Sequence, residues 1–149
     1  MKEKTLLSIA LLAIVMLAGS CTQNNGHIGR LFGSWVLSAR TVDGTDKPLP
    51  EGTEAYLSFQ NNIVRMLTVT DTYDVDSETY GSWVEEGDTL ILDCSHTSDK
   101  DPGQYDVPSW LAPAEDFITF RISRIDGQQL ILERDVDGAD YVYTFSKTW

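Results

Sequence analysis

The sequence predicts an all-β protein, an eight-stranded antiparallel up-and-down barrel, preceded by a signal peptide. From residue 33 onward the chain is a succession of about eight short runs with β character, most of them joined by short turns. No convincing amphipathic helix follows residue 21. Sequential hairpins favour a closed barrel, because closure removes the exposed edges of a sheet.

Residues 1–20 have the features of a signal peptide. Two lysines give a positively charged start, and residues 6–17 form an apolar run that is too short to span a bilayer comfortably. Small residues follow at 18–20, directly before Cys21. This order resembles the lipobox of bacterial lipoproteins, whose cysteine thiol takes up diacylglycerol. We therefore predict that Cys21 is lipidated and anchors the chain to the membrane. An ordinary signal peptide with an incidental cysteine is the alternative.

Residues 22–27 are polar and contain glycine, which indicates a flexible tether over residues 21–29 between the lipid and a folded domain over residues 30–149. Surface-exported lipoproteins of Gram-negative gut bacteria often carry acidic residues directly after the cysteine. Residues 22–25 read Thr-Gln-Asn-Asn and carry none. We therefore expect an outer-membrane lipoprotein of the cell envelope that faces the periplasm rather than the cell surface.

Alternation of apolar and polar residues assigns most strands and their inward faces. The first run places Trp35, Leu37 and Ala39 inward, with Ser38 and Arg40 outward. The other inward sets are Ala55, Leu57 and Phe59; Leu90, Leu92 and Cys94; Ile118, Phe120 and Ile122; Leu130 and Leu132; and Tyr141, Tyr143 and Phe145. Residues 63–70 are apolar on both sides, which leaves their inward face open. Residues 71–79 are polar, and β character resumes at residues 80–84.

Turn signals separate these runs. Asn61-Asn62 tolerates a positive φ, and Glu86-Gly87-Asp88 turns the chain. Asp126-Gly127 predicts a type I′ hairpin turn. Residues 135–140 faintly resemble a calcium loop, but they lack its spacing and its distal glutamate. Between two predicted strands, Asp137-Gly138 is more simply another turn.

The connection over residues 95–115 interrupts this rhythm. It contains three prolines together with Tyr105, Trp110 and Leu111. A connection this long within a compact domain is either disordered or functional. Its aromatic residues favour docking onto the barrel, with a short helical turn at Ser109-Trp110-Leu111.

Gly33-Ser34-Trp35 at the first strand resembles the lipocalin signature, in which the tryptophan plugs one end of the barrel. The span 30–147 is similar to the small lipocalin-like domains found in lipoproteins of Gram-negative gut bacteria. In those domains a mid-chain Gly, Ser or Thr, and Tyr or Trp are followed by a turn of glycine and an acidic residue and by a Leu-x-Leu run, here Gly81-Ser82-Trp83 to Leu92. A pattern of spaced isoleucines and leucines closes the barrel, here residues 122–132. The resemblance implies a calycin barrel plugged by Trp35, with any binding site at the opposite end.

Composition and motifs exclude several classes of function. A formal net charge of -12 repels a polyanion, so we expect no nucleic-acid partner. The chain has no Gly-rich phosphate loop, no His/Cys metal spacing and no Ser/His/Asp pattern, so we expect no enzyme, no cofactor and no metal.

Two weaker chemical signals have simpler interpretations. Asp74, Asp76 and Glu78 alternate and would share one strand face, where they could hold Ca²⁺ or simply be solvated. Cys94 lies in an apolar run, which favours a small buried hydrophobe over a nucleophile, although His96 is two residues away.

The candidate ligand-binding residues are aromatic: Trp83, Tyr105, Trp110, Tyr141 and Tyr143. Such residues either fill a small barrel, because eight strands leave room for little more than side chains, or line a cup for a ligand. Two hypotheses follow. The protein is a lipid-anchored barrel that binds a small hydrophobic or glycan ligand at its open end, beneath the 95–115 connection. Alternatively, it is a filled barrel that serves as a structural or protein-interaction module of the envelope, with an unidentified protein partner.

Overall fold

The computed structural model describes residues 29–71, 74–95, 107–111, 113 and 115–148. The predicted signal peptide, Cys21 and all but the last residue of the predicted tether lie outside the described residues. The strands are Gly33–Val42 (β1), Thr45–Asp46 (β2), Glu54–Gln60 (β3), Ile63–Val69 (β4), Val75–Glu86 (β5), Thr89–Asp93 (β6), Phe117–Ile125 (β7), Gln129–Val136 (β8) and Ala139–Lys147 (β9). Among the described residues, no helix is long and apolar enough to cross a membrane.

The sheet is an antiparallel meander that closes on itself. From β3 onward each strand pairs with the next along the chain, and β1 pairs with both β3 and β9. The short β2 pairs only with the end of β1, so eight long strands form the barrel wall. This confirms the predicted eight-stranded up-and-down barrel.

One end of the barrel, which we call the tryptophan end, is closed by Trp35 on β1. Trp35 is fully buried, and its indole Nε1 donates a hydrogen bond to the Leu31 carbonyl over 2.8 Å. The Lys147 ammonium lies 4.7 Å from the centre of the indole ring and donates to the Phe32 carbonyl over 2.8 Å. The segment that precedes β1 and the last residue of β9 therefore both contact this indole ring.

The opposite end, which we call the mouth, is where β1, β4, β6 and β8 end. The β1–β3, β4–β5, β6–β7 and β8–β9 connections all lie there, because the strands are antiparallel. The long connection predicted from its aromatic residues is the β6–β7 connection. The fold thus places both ends of this connection at the mouth, away from Trp35.

The predicted inward face of β1 is correct at Trp35 and wrong beyond Leu37. The pairing of β1 with β9 shifts register between Leu37 and Ala39, which marks a β-bulge. Ala39 is therefore exposed, and Arg40 stands directly opposite the buried Tyr143. The bulge reverses the alternation, so Arg40 points towards the mouth rather than outward.

Strand β5 begins at Val75, five residues before the predicted start at Tyr80. The inward positions near the mouth are polar, which hid the alternation: Thr79 is buried, and the Ser77 hydroxyl donates to Thr68 Oγ1 over 2.9 Å. On the outer face, the Glu78 carboxylate accepts hydrogen bonds from Arg65 and from the Tyr80 hydroxyl. Hydrogen bonding between strands thus replaces apolar burial in this half of β5.

The turns differ from prediction at one hairpin. Asn61, Asp137 and Gly138 have positive φ, as the turn signals indicate. Gly127 is not among the residues with positive φ, so the predicted type I′ turn at Asp126-Gly127 is wrong. There the Asp126 carboxylate accepts hydrogen bonds from the backbone N–H groups of Gln128 and Gln129, over 2.9 and 2.8 Å. These bonds close the turn and lower the pKa of the Asp126 carboxyl.

The glycines of the two Gly-Ser-Trp strings do different work. Gly33 opens β1 with a φ of 118°, a conformation that L side chains rarely adopt. Gly81 lies in the middle of β5, where an added Cβ would stand 2.6 Å from the Asp93 carbonyl oxygen. Gly33 therefore permits a backbone conformation that other residues rarely adopt, and Gly81 permits the close approach of β5 to the neighbouring strand β6.

Candidate functional site

The mouth is covered by a short turn of 3₁₀ helix, Ser109–Leu111, which confirms the predicted helical turn. The Leu111 N–H donates to the Pro108 carbonyl over 2.8 Å and closes the turn. Trp110 and Leu111 are 2% and 1% exposed, whereas Ser109 is exposed. We call residues 108–111 the plug, because their apolar side chains fill the mouth.

Trp110 reaches from one wall of the barrel to the other. Its ring meets the edges of Tyr143 and Phe145 on β9, with centroid distances of 6.3 and 6.0 Å. On the far side, its indole Nε1 donates to Thr68 Oγ1 on β4 over 3.3 Å. Edge-to-face packing of this kind stabilises aromatic pairs beyond their buried area. Trp110 is thus the central side chain of the mouth.

Two arginines hold the backbone of the plug. Arg40 on β1 donates through Nη1 to the Trp110 carbonyl over 3.0 Å, and through Nε to the Lys47 carbonyl over 2.9 Å. Arg134 on β8 donates through Nη1 to the Leu111 carbonyl over 3.2 Å. Two guanidinium groups therefore lie at the C-terminal end of the 3₁₀ turn, where backbone carbonyls without a partner in the turn need hydrogen-bond donors.

Arg134 is a buried cation with one acidic partner. Its side chain is 2% exposed, and its Nη2 lies 2.9 Å from a carboxylate oxygen of Glu115, whose side chain is 50% exposed. The guanidinium carbon also lies 5.8 Å from the centre of the Phe120 ring. Arg40 is half-buried and forms no ion pair within the part of the chain that the structure describes.

Tyr143 lies beneath the plug and between these arginines. It is fully buried, and its hydroxyl has no hydrogen-bond partner among the described residues. Its ring meets the Phe120 ring edge-on at 5.7 Å and stacks with Tyr141 at 6.5 Å. Burial raises the pKa of Tyr143, while the charges of Arg134 and Arg40 act to lower it. A buried hydroxyl without a partner costs about 1–3 kcal/mol.

A cleft of about 420 Å³ opens on the side of the barrel next to Arg40. It exists because β1 pairs with β3 only over Gly33–Val36 and parts from β3 at the bulge. Its walls include Leu37, Arg40 and Leu49, and the leucines pack against the core. The cleft thus joins an apolar wall to the guanidinium that holds the plug.

The structure brings three of the predicted aromatic residues together at the mouth, namely Trp110, Tyr141 and Tyr143. Tyr105 lies outside the described residues. Trp83 does not join the group: it packs edge-on against Phe59 at 5.3 Å near the tryptophan end, so its predicted place at the open end is corrected.

Arg40 and Arg134 are the mouth residues that the sequence interpretation missed. Arg134 continues the alternation of Leu130 and Leu132, so its inward direction could have been read from the sequence. No local signal could have revealed Arg40, because the bulge that turns it inward follows from pairing with β9.

Cys94 is buried, as predicted, and is a poor nucleophile. Burial, reinforced by the negative charges of Asp93 and Asp116, raises the pKa of its thiol to about 11. The reactive thiolate is therefore scarce at neutral pH. Within the described residues, no group of three or more His, Cys, Asp or Glu side chains is placed to hold a metal ion.

Residues 14–147 match the model of a family described as the lipocalin-like domain. This chain belongs to that family. The barrel end closed by Trp35 and the meander of eight long strands are the structural counterparts of the match. No curated protein matches the sequence.

Two solved structures share the fold of this lipocalin-like chain. A crystal structure of a lipocalin-like protein from Bacteroides uniformis ATCC 8492 aligns with a TM-score of 0.59 at 18% identity, covering 80% of this chain and 99% of that one. An uncharacterized protein from Bacteroides eggerthii DSM 20697 aligns with a TM-score of 0.55 at 14% identity, covering 78% of this chain and 98% of that one. At these identities the two structures show a shared fold alone. The candidate site is therefore inferred from the mouth residues of this chain.

Proposed function

We propose that this protein is a lipid-anchored lipoprotein of the cell envelope whose barrel binds a small hydrophobic or glycan ligand at its mouth. The observation that carries the proposal is the plug itself. A turn of three residues, rather than a strand or a long helix, fills the mouth with the indole of Trp110. A ligand that displaces this indole would contact Tyr143 and Phe145, the aromatic residues that now pack against it.

The way the plug is held supports displacement. Among the described residues, it is held by hydrogen bonds that involve the side chains of Arg40, Arg134 and Thr68 and by ring contacts, and its residues belong to no strand of the sheet. Segments held outside the backbone ladder open at lower free energy than paired strands do. The lateral cleft is lined by Arg40, the same residue that donates to the Trp110 carbonyl of the plug.

The test of ligand binding is tryptophan fluorescence titrated with a panel of long-chain lipids and oligosaccharides. We expect at least one compound to change the emission of the native chain and to protect the mouth from proteolysis. The Trp110→Phe variant should lose most of that change, because Trp110 is the indole at the mouth. The absence of any response across the panel would contradict the proposal.

The anchor is tested separately at Cys21. Cys21→Ser should abolish fatty-acid labelling and move the protein from membranes to the soluble fraction, because the thiol is the acyl acceptor. Cys94→Ser is the matched control, since Cys94 is buried within the barrel and should leave labelling unchanged. Labelling that persists in Cys21→Ser would show that the lipobox assignment is wrong.

A second candidate function has its own observation. Ile63, Val75, Tyr80, Val84 and Phe117 are each half or more exposed on the outside of the barrel. Large exposed apolar residues can mark contact with a partner protein. In that case the plug is permanent, and the protein is an interaction module of the envelope. Cross-linking in membranes followed by mass spectrometry distinguishes the two, because a chain that never cross-links to a partner contradicts this second candidate.

A further inference from the structure

We propose that the mouth recognises an anionic group and that its ligand is an anionic amphiphile, with an apolar body and a carboxylate or phosphate head. This inference rests on the proposed function and names the ligand class of the same site. Arg40, Arg134 and the Tyr143 hydroxyl are the groups that bind the head. In the structure, the backbone carbonyls of Trp110 and Leu111 accept hydrogen bonds from the two arginines, as the anionic head would.

The register of the sheet brings the three groups together. Arg40 on β1 stands directly opposite Tyr143 on β9. Arg134 on β8 stands directly opposite Tyr141, the next residue of β9 that faces the same way as Tyr143. Side chains directly opposite have Cβ atoms about 5 Å apart, and diagonal neighbours on one face lie about 7–8 Å apart. Both arginines bind consecutive carbonyls of the plug, which brings their guanidinium groups to one place.

The Tyr143 hydroxyl is an independent sign of a missing acceptor. It is a buried polar group with no partner among the described residues, although both arginines next to it are hydrogen-bonded. An arginine has no acceptor to offer a phenol, because its nitrogen atoms only donate. An oxyanion beside the arginines would accept from the phenol and from both guanidinium groups. Phenylalanine would fill the same space without leaving this hydroxyl unsatisfied.

The charge balance favours an anion over a neutral ligand. The whole chain carries a formal net charge of -12, yet the cations at the mouth have only Glu115 as a described ion-pair partner. Each guanidinium uses two of its three nitrogens in its present bonds, and N–H groups remain. The planar fork of a guanidinium matches the geometry of carboxylate and phosphate oxygens.

The neighbouring cleft fits the apolar body of such a ligand. Leu37, Pro48 and Leu49 contribute apolar surface to the cleft that Arg40 also lines, and Asp46 of β2 lines the same cleft. A ligand with its head at Arg40 can therefore lay a hydrocarbon chain along these residues. An anionic sugar without an apolar part would leave this wall unused.

The experiment compares two probes that differ only in charge: 11-(dansylamino)undecanoic acid and its primary amide. Dansyl fluorescence is titrated on the Cys21→Ser chain, which keeps the whole mature sequence in solution. We expect the carboxylate to bind at least on the order of tenfold more tightly than the amide, because hydrogen bonds between charged groups are about twice as strong as neutral ones. A matched alkyl phosphate, used as a competitor, tests whether the site takes either oxyanion.

The variants locate the preference. Arg40→Met and Tyr143→Phe should weaken carboxylate binding severalfold to tenfold and leave amide binding unchanged. Arg121→Met is the matched control, because Arg121 lies outward on β7 and pairs with Glu133; it should bind both probes like the parent chain. Arg134→Met is informative only if it folds, so circular dichroism accompanies it, and the other two variants carry the test.

Each outcome decides the inference. Preference for the carboxylate that is lost in Arg40→Met and Tyr143→Phe supports it. Equal binding of both probes overturns the inference and leaves the proposed function standing. Preference that survives both variants also overturns it, because the anion then binds elsewhere. If neither probe binds, the inference fails. The proposed function fails with it only if no compound of the lipid and oligosaccharide panel changes the tryptophan emission.

Discussion

Trp110→Ala removes the side chain that fills the mouth, and its effect on stability is the sharpest test of the plug. Trp110 is 2% exposed, so nearly all of its surface leaves solvent in the folded chain. Burying an aromatic side chain of about 150–250 Å² at about 25 cal/mol per Å² corresponds to about 4–6 kcal/mol, which is an upper bound. Core substitutions of this kind cost about 3–5 kcal/mol.

We expect a loss of about 3 kcal/mol in the free energy of unfolding, at the low end of that range. Tyr143 and Phe145 lie on a hydrogen-bonded strand and cannot close in on the space, which raises the cost. The plug belongs to a connection rather than to the sheet, so it can move inward and recover part of the loss. Inward movement of the plug has the larger effect on the free energy of unfolding, because the turn is only three residues long and Leu111 lies next to the cavity that Trp110→Ala leaves.

The measurement is urea denaturation of the soluble Cys21→Ser chain, followed by far-UV circular dichroism. With a slope of about 1–3 kcal/mol per M, the midpoint should fall by about 1–3 M. Phe117→Ala is the matched control: Phe117 is 55% exposed, and its loss should change stability by no more than about 0.5 kcal/mol. A loss below about 1 kcal/mol for Trp110→Ala would refute the buried plug and the site built around it.

Three further predictions test other parts of the structure. Gly81→Ala should cost about 1–3 kcal/mol, because its Cβ would overlap a backbone carbonyl, whereas Gly127→Ala, with open space around it, should stay within about 0.5 kcal/mol by thermal unfolding. Lys147→Met should cost about 2 kcal/mol and change the near-UV spectrum of Trp35, and an unchanged midpoint would contradict the contact. The raised pKa of Cys94 gives stability that is complete below pH 9.0, the ordinary pKa of the thiol, and is lost as pH rises towards 11. Cys94→Ala should flatten that decline in pH-dependent urea midpoints, and an equally steep decline would exclude the thiol as its source.

The barrel was predictable because its strands obey one local rule. Inward residues such as Leu90, Leu92, Ile118 and Phe120 alternate with polar ones, and the turns between them carry their own signals. Closure then follows from the absence of long helices and from the cost of open edges.

The mouth was less predictable because its residues depend on pairing between distant strands. The bulge that turns Arg40 inward arises where β1 meets β9, roughly a hundred residues later in the chain. The polar inward side chains of Ser77 and Thr79 hid the first half of β5. Trp83 and Trp110 are both predicted to contact a ligand, and only the strand order assigns them to opposite ends of the barrel.

The plug has a consequence for affinity under the proposed function. Trp110 and the carbonyls around it act as a tethered competitor, which occupies the place of a ligand at high effective concentration. The apparent dissociation constant then equals the intrinsic constant divided by the fraction of molecules whose plug is open. Each 1.4 kcal/mol that holds the plug closed weakens apparent binding about tenfold. Substitutions that loosen Trp110 without removing ligand contacts would therefore lower the stability of the folded chain and raise its apparent affinity for the ligand together.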